Sequence, residues 1–222
     1  MELVRDPDAE LVAACKAPDS EGFHAAFEAL FDRYRDRAYA IAFRVVGNGN
    51  DALDVVQESF ALLFRKIGSF RGDSLFSTWL FRIVTNCSID YRRRNKVGRA
   101  PKLLSDAAQP LDPADDAMGP RDAAAVQEVG DQVQEAISQL SPKLRVILAL
   151  RYLEAMSYDQ LAVTLDISLG TVKSRLARAH VALEQTVRTR YPHLEVCREL
   201  AAAEDRATGS DPDRSGPMGG VG

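Results

Sequence analysis

The chain has 222 residues, room for one or two modest domains, and 46% of them are hydrophobic, enough for packed cores. Its net charge is −4, from 28 Lys and Arg against 32 Asp and Glu, which excludes a globally basic nucleic-acid binder. Helix formers dominate and no segment shows sustained strand-like alternation. The expected fold is all-α: two small helical domains joined by a flexible acidic linker, the C-terminal one a helix-turn-helix.

The average charge hides segregation. Between Arg65 and Arg99 the basic residues far outnumber Asp73 and Asp90, whereas between Ser105 and Glu135 the acids face Arg121 alone. Local patches of this kind, rather than net charge, make an electrostatic footprint for nucleic acid. The three cysteines, Cys15, Cys87 and Cys197, fit neither a zinc spacing nor a secreted disulfide framework. There is no basic region followed by an apolar run at the N-terminus and no stretch of roughly 18–20 apolar residues. These features predict a reduced, cytoplasmic setting.

Residues 1–19 are polar and expected to be partly ordered at best. A long helical pattern spans about 20–46, with Phe23, Phe27, Leu30, Phe31, Tyr34, Ala38, Ile41, Ala42 and Val45 on its buried side. Gly47-Asn-Gly-Asn50 stops it, and Asn50 or Asp51 can cap the next helix. That helix runs to about residue 67, with Leu53, Val56, Phe60, Leu63 and Ile67 inward. Its polar residues, among them Asp51, Asp54, Gln57 and Glu58, form either an ordinary solvated face or a docking surface. Gly68–Ser74 is a loop. Its Phe70 either folds back on the core or offers a ring on which an unstacked base rests, with Arg71 near the phosphate.

A helix from Asp73 or Ser74 to about residue 95 turns Phe76, Trp79, Leu80, Ile83 and Cys87 inward and shares Arg82, Asn86, Asp90 and Arg93 on an outer face. It finishes in Tyr91-Arg-Arg-Arg-Asn-Lys96, including Arg93 and Arg94, more cations than a helix dipole requires, so phosphate binding is expected. The first domain is therefore placed at about 20–96. Residues 97–126 carry Pro101, Pro110, Pro113 and Pro120 among Ala and Asp and read as a linker. The second domain, 127–190, opens with a helix to about Leu140, followed by another with Ser141 as N-cap and Pro142 in its first turn. Residues 191–222 form an extension with one short helical pattern at about 194–204 and a Gly/Pro-rich end.

Within the second domain, Ser157-Tyr-Asp-Gln160 has capping-box form, with Leu161, Ala162 and Leu165 inward. After the turn Asp166–Gly170, Ser168 caps a second helix whose Val172, Leu176, Ala179 and Leu183 keep one face buried. The opposite face shows Thr171, Lys173, Ser174, Arg175 and Arg178. This is the layout of a helix-turn-helix that reads a DNA major groove.

Three stretches together, Asp51–Phe60, Phe70–Asn86 and Ile167–Arg178, closely resemble the extracytoplasmic-function sigma factors of bacteria, a likeness that covers about 20–96 and 127–187. The resemblance implies that Asp51, Asp54, Gln57 and Glu58 contact core RNA polymerase. It implies that Phe70, Arg71, Asn86, Asp90, Arg93 and Arg94 meet the non-template strand of the −10 element, where a base is flipped out. It implies that Thr171, Lys173, Ser174, Arg175 and Arg178 meet the −35 duplex, and that an anti-sigma factor is a further partner. Arg can read guanine bidentately, while Lys and Ser can hold phosphates. No cofactor, metal or covalent chemistry is expected, since His24, His180 and His193 are isolated and no phosphate-cradling glycine loop appears. Two other readings are a helix-turn-helix regulator that is no polymerase subunit and a DNA-blind protein that titrates a partner.

Overall fold

The computed structural model describes residues 6–17, 22–96 and 120–191, and every regular element among them is helical. They are α1 (Ala9–Ala14), α2 (Gly22–Val46), α3 (Gly49–Lys66), a 3-10 turn (Ile67–Ser69), α4 (Phe76–Lys96), α5 (Pro120–Ser138), α6 (Pro142–Leu153), α7 (Tyr158–Leu165) and α8 (Leu169–Arg190). Most of the expected linker, the pattern at 194–204, Cys197 and the C-terminal end lie outside the described residues.

The described part of the polar N-terminal segment docks on the core. Residues 9–14 form α1, which buries Val12, and Cys15 follows it into the core. Asp8, 1% exposed, explains why a polar segment can dock: its carboxylate accepts hydrogen bonds from Tyr34 and Arg33 of α2, so the buried charge is paired. Burial first, then the bond to Asp8, pushes the Tyr34 hydroxyl well above the ordinary tyrosine range.

α2 buries Leu30, Tyr34, Ala38, Ile41, Ala42 and Val45 as its periodicity requires, and Gly47 ends it in the left-handed conformation, φ 97°. The cap of α3 is Asn48 rather than Asn50 or Asp51. Its Oδ1 accepts the Asp51 N–H at 2.8 Å and its Nδ2 donates to the Asp51 carboxylate at 2.6 Å. α3 buries Ala52, Val55, Val56, Ser59, Phe60 and Leu63, but Leu53 is 53% exposed and not inward. Small residues let α3 and α4 approach, with the buried Ser59 and Ser88 hydroxyls donating to carbonyls of their own helices at 2.7 and 2.8 Å.

α4 starts at Phe76, two or three residues later than its sequence suggests, and buries Phe76, Leu80, Phe81, Val84 and Cys87. α5 starts at Pro120, so the end of the expected linker is helical. α6 has Ser141 as N-cap with Pro142 in its first turn, although the Ser141 side chain makes no capping bond. The capping box at Ser157 forms in both directions: Ser157 Oγ accepts the Gln160 N–H at 3.2 Å and Gln160 Oε1 accepts the Ser157 N–H at 2.8 Å. Asp166 turns the chain in the left-handed region, φ 54°, and Ser168 Oγ accepts the Thr171 N–H at 3.2 Å to open α8. α8 continues past Leu183 to Arg190, burying Val187 as well.

The two halves are not held apart. α3, α4 and α6 all pack against α2, and α7 packs against α4. Polar bonds seal this junction. Gln134 of α5, buried, accepts from Arg44 at 2.9 Å and donates to Phe43 O at 3.3 Å. Arg37 pairs with Glu154, whose side chain is buried, and Arg82 with Asp166 at 2.9 Å. Arg145, 2% exposed and unremarkable in sequence, reaches from α6 to the end of α2.

Candidate nucleic-acid interface

On α4, residues Trp79, Arg82, Asn86, Asp90 and Arg93 form one stripe, because steps of three and four return to the same helical face. Arg82, Asn86, Asp90 and Arg93 are exposed, as expected. Among the described residues the Asn86 amide has no hydrogen-bond partner, so both its donor and its acceptor are open to a base edge. Asp90 and Arg93 pair with each other at 3.2 Å.

Phe70 is not the open stacking surface that one of its readings required. It is 7% exposed, with its ring centroid 5.1 Å from Trp79 and 6.0 Å from Phe76. Lys16 adds a cation 5.8 Å from the ring centroid. Three aromatics within one turn and a loop satisfy one another, which is why the ring folds inward. Its position fixes the loop at the foot of the α4 stripe, with Asn86 two helical turns, about 10 Å, further along. Arg71 beside it is exposed, and Gly72 takes φ 82° to let the loop turn.

The basic end of α4 is divided rather than pooled. Arg92 points inward and donates to Val46 O at 3.0 Å, and burial lowers its pKa. Arg93 faces solvent. Arg94 turns to α3 and binds Glu58 at 2.7 Å, a bond that raises the Arg94 pKa. Tyr91 donates to Asp51 at 2.7 Å and to Asp54 at 3.2 Å. Four of the residues assigned from sequence to two different partners, Asp51, Asp54, Glu58 and Arg94, therefore meet at the α3–α4 junction. Asp51 is half-buried between Asn48 and Tyr91, which gives it a structural task. Leu53, Asp54 and Gln57 are the exposed residues of that face. Leu53 was missed because its spacing fitted the buried stripe.

On α8, Lys173, Ser174 and Arg178 are exposed while Thr171 and Arg175 are half-exposed. Thr171 shares a hydrogen bond with Ser168 at 2.8 Å and so belongs to the helix cap. Arg178 Nε donates to Ser174 O at 3.1 Å, which lays the guanidinium along the helix. Lys173, Arg175 and Arg178 have no ion-pair partner among the described residues. The rear of α8 is closed by Val172, Leu176, Ala179 and Leu183, so the cationic face is held in one orientation. No described helix is long and apolar enough to cross a membrane.

Comparison with known proteins places the chain in a family. The model "Sigma-70 region 2" matches residues 30–97 and "Sigma-70, region 4" matches residues 130–183. The chain is 33% identical to the ECF RNA polymerase sigma factor SigW of Bacillus subtilis, over 76% of this chain and 92% of that protein. It is 31% identical to the RNA polymerase sigma-H factor of Pseudomonas aeruginosa, over 83% of this chain and 96% of the relative. Its fold is similar to that of CnrH in complex with the cytosolic domain of CnrY, with TM-score 0.57 and 23% identity over 82% of this chain and 99% of the other. It is also similar to the sigma factor RpoE in complex with the anti-sigma factor NepR from Bartonella quintana, with TM-score 0.56 and 21% identity over 74% and 98% of the two chains. A helix-turn-helix regulator outside the polymerase leaves the region 2 match over α2–α4 without explanation. The chain belongs to the extracytoplasmic-function sigma factors, alternative sigma factors of transcription initiation.

Proposed function

We propose that α3 docks on core polymerase through Leu53, Asp54 and Gln57, that the α4 stripe takes the melted −10 strand, and that α8 reads the −35 duplex. The observation that carries the −10 assignment is the unpartnered Asn86 amide on an exposed stripe that begins at the Phe70 loop. An amide can donate to and accept from one base edge, and Arg71 and Arg93 can neutralise the adjoining phosphates. Phe70 serves by holding the loop that presents Arg71. Arg94 and Glu58 belong to the junction between the docking face and the reading face. On α8, Lys173, Ser174 and Arg178 are the groove contacts, and Thr171 sets the start of the helix.

The protein works in the cytoplasm with the polymerase, and strand opening draws on the binding of captured bases rather than on covalent chemistry. An anti-sigma factor restrains it, in keeping with the RpoE neighbour bound to NepR. Transcript start sites mapped with this chain added to core polymerase test the proposal. Shared −35 and −10 sequences upstream of those starts are the expected result. A chain that fails to bind core in the absence of any inhibitor, or gives no promoter-dependent product, overturns it.

A further inference from the structure

The N-terminus of α4 is capped by a residue 70 positions away. The local candidate does not do it, because Ser74 Oγ makes only a long contact, 3.4 Å, to Leu75 O. Instead Asp6 Oδ2 accepts the Phe76 N–H at 2.7 Å. This N–H is among the donors that a helix start leaves without an intrahelical partner, and a carboxylate there also suits the helix dipole. Asp6 is itself held in place. Its Oδ1 accepts the Asp8 N–H at 3.0 Å, and buried Asp8 is bound to Tyr34 and Arg33. From there α1 carries the chain to Lys16, over the Phe70 ring. Residues 6–17 therefore touch the reading loop at both ends, at Phe70 and at Phe76.

We propose that Asp6 is a positioning residue for −10 strand capture: it fixes the first turn of α4, and through Phe76 and Trp79 the loop that carries Arg71. The proposal rests on the reading of the α4 stripe as the −10 surface. It assigns a promoter-opening role to a segment that lies outside the matched region 2 of the family.

The test compares Asp6→Ala and Asp6→Asn in full-length chain assembled with core polymerase, on a promoter found by start-site mapping. Asparagine keeps an acceptor for the Phe76 N–H and alanine does not. Trp79 is the one tryptophan of the chain, so acrylamide quenching of its fluorescence reports the loop directly. Asp6→Ala should lower the open-complex equilibrium about two- to thirty-fold, the range for losing an N-cap, and make Trp79 more quenchable. Asp6→Asn should restore most of both, with core affinity and binding to a −35-only duplex unchanged throughout. Wild-type opening by Asp6→Ala overturns the proposal, as does a loss that Asp6→Asn shares or one matched by equal losses in core and −35 binding. Asn86→Ala run in parallel separates the two readings. If Asn86→Ala is defective and Asp6→Ala normal, only the positioning role falls; if Asn86→Ala opens promoters normally, the −10 surface itself is wrong.

Discussion

Arg145 Nη1 donates to Val45 O at 2.8 Å, joining α6 to the last turn of α2 across 100 residues of chain. The same guanidinium donates to Leu140 O at 2.9 Å and to Ser138 O, so it closes the ends of two helices at once. A cation at helix C-termini is favoured by both dipoles. No carboxylate among the described residues pairs with it; burial, aided by the nearby Arg92 charge, lowers its pKa to about 10. Arg145→Met keeps the bulk and leaves three carbonyls without their donor. With each buried unmade bond costing roughly 1–3 kcal/mol, the variant should lose about 3 kcal/mol or more. Denaturant unfolding checks the size, and a larger hydrodynamic radius should show the two halves parting. A loss under about 1 kcal/mol would mean that water replaces the guanidinium.

Tyr91 links the docking face to the reading helix and supplies a pH signature. Burial first, then the bonds to Asp51, push its pKa up to about 12. Because the folded pKa lies above the unfolded one, its contribution to stability is complete below the ordinary tyrosine range, near pH 10, and fades as pH rises through about 12. The phenolate absorbance difference between wild type and Tyr91→Phe should show a midpoint near 12. A midpoint near 10 would show that the Asp51 contact does not persist in solution.

Legibility from sequence followed the range of each cause. The capping box at Ser157, the Ser168 cap, the stop at Gly47 and the buried row Val172–Leu183 depend on neighbours within a turn, and they form as read. The exposed stripe Arg82, Asn86, Asp90 and Arg93 was legible for the same reason. What escaped depends on residues far apart. Asp8 docks because Arg33 and Tyr34 wait on α2, Asp6 replaces a local cap on α4, and the choice between the two readings of Phe70 falls to the inward one because Trp79 and Phe76 complete its cluster. Arg145 gave no signal at all, since an arginine beside leucines on a helix reads as surface until the carbonyls it caps come together.

Leu53 decides whether the α3 face is a docking surface or merely solvated. Leu53 is 53% exposed beside the exposed Asp54 and Gln57, so more than half of its surface is open to a partner. Leu53→Asp should leave thermal stability within about 0.5 kcal/mol, as surface changes usually do. It should weaken core polymerase binding by about 2 kcal/mol if the side chain is buried by the partner. Competition against labelled wild-type chain for core polymerase measures this, and unchanged competition would move the docking face elsewhere.

Asn86→Ala should impair promoter opening while core binding stays near wild type, because the amide has no structural partner among the described residues. Permanganate reactivity of the −10 thymines follows opening, and co-purification follows core binding. A fall in both would assign Asn86 to the fold or to the polymerase contact instead.

Arg178 and Lys173 separate base reading from phosphate holding on α8. Arg178 is laid along the helix by its bond to Ser174 O, a placement that suits a fixed two-point contact to guanine, whereas exposed Lys173 has no such tether. Arg178→Ala should cost roughly 1–3 kcal/mol on the cognate −35 duplex and relax preference at one base pair. Lys173→Ala should weaken all duplexes alike and reduce the salt dependence by about one phosphate contact. Titrations of both variants against a set of single-base −35 mutants, at two salt concentrations, distinguish the roles. If Arg178→Ala loses affinity equally on every sequence, the guanidinium holds the backbone and the base contact must come from Arg175 or Ser174.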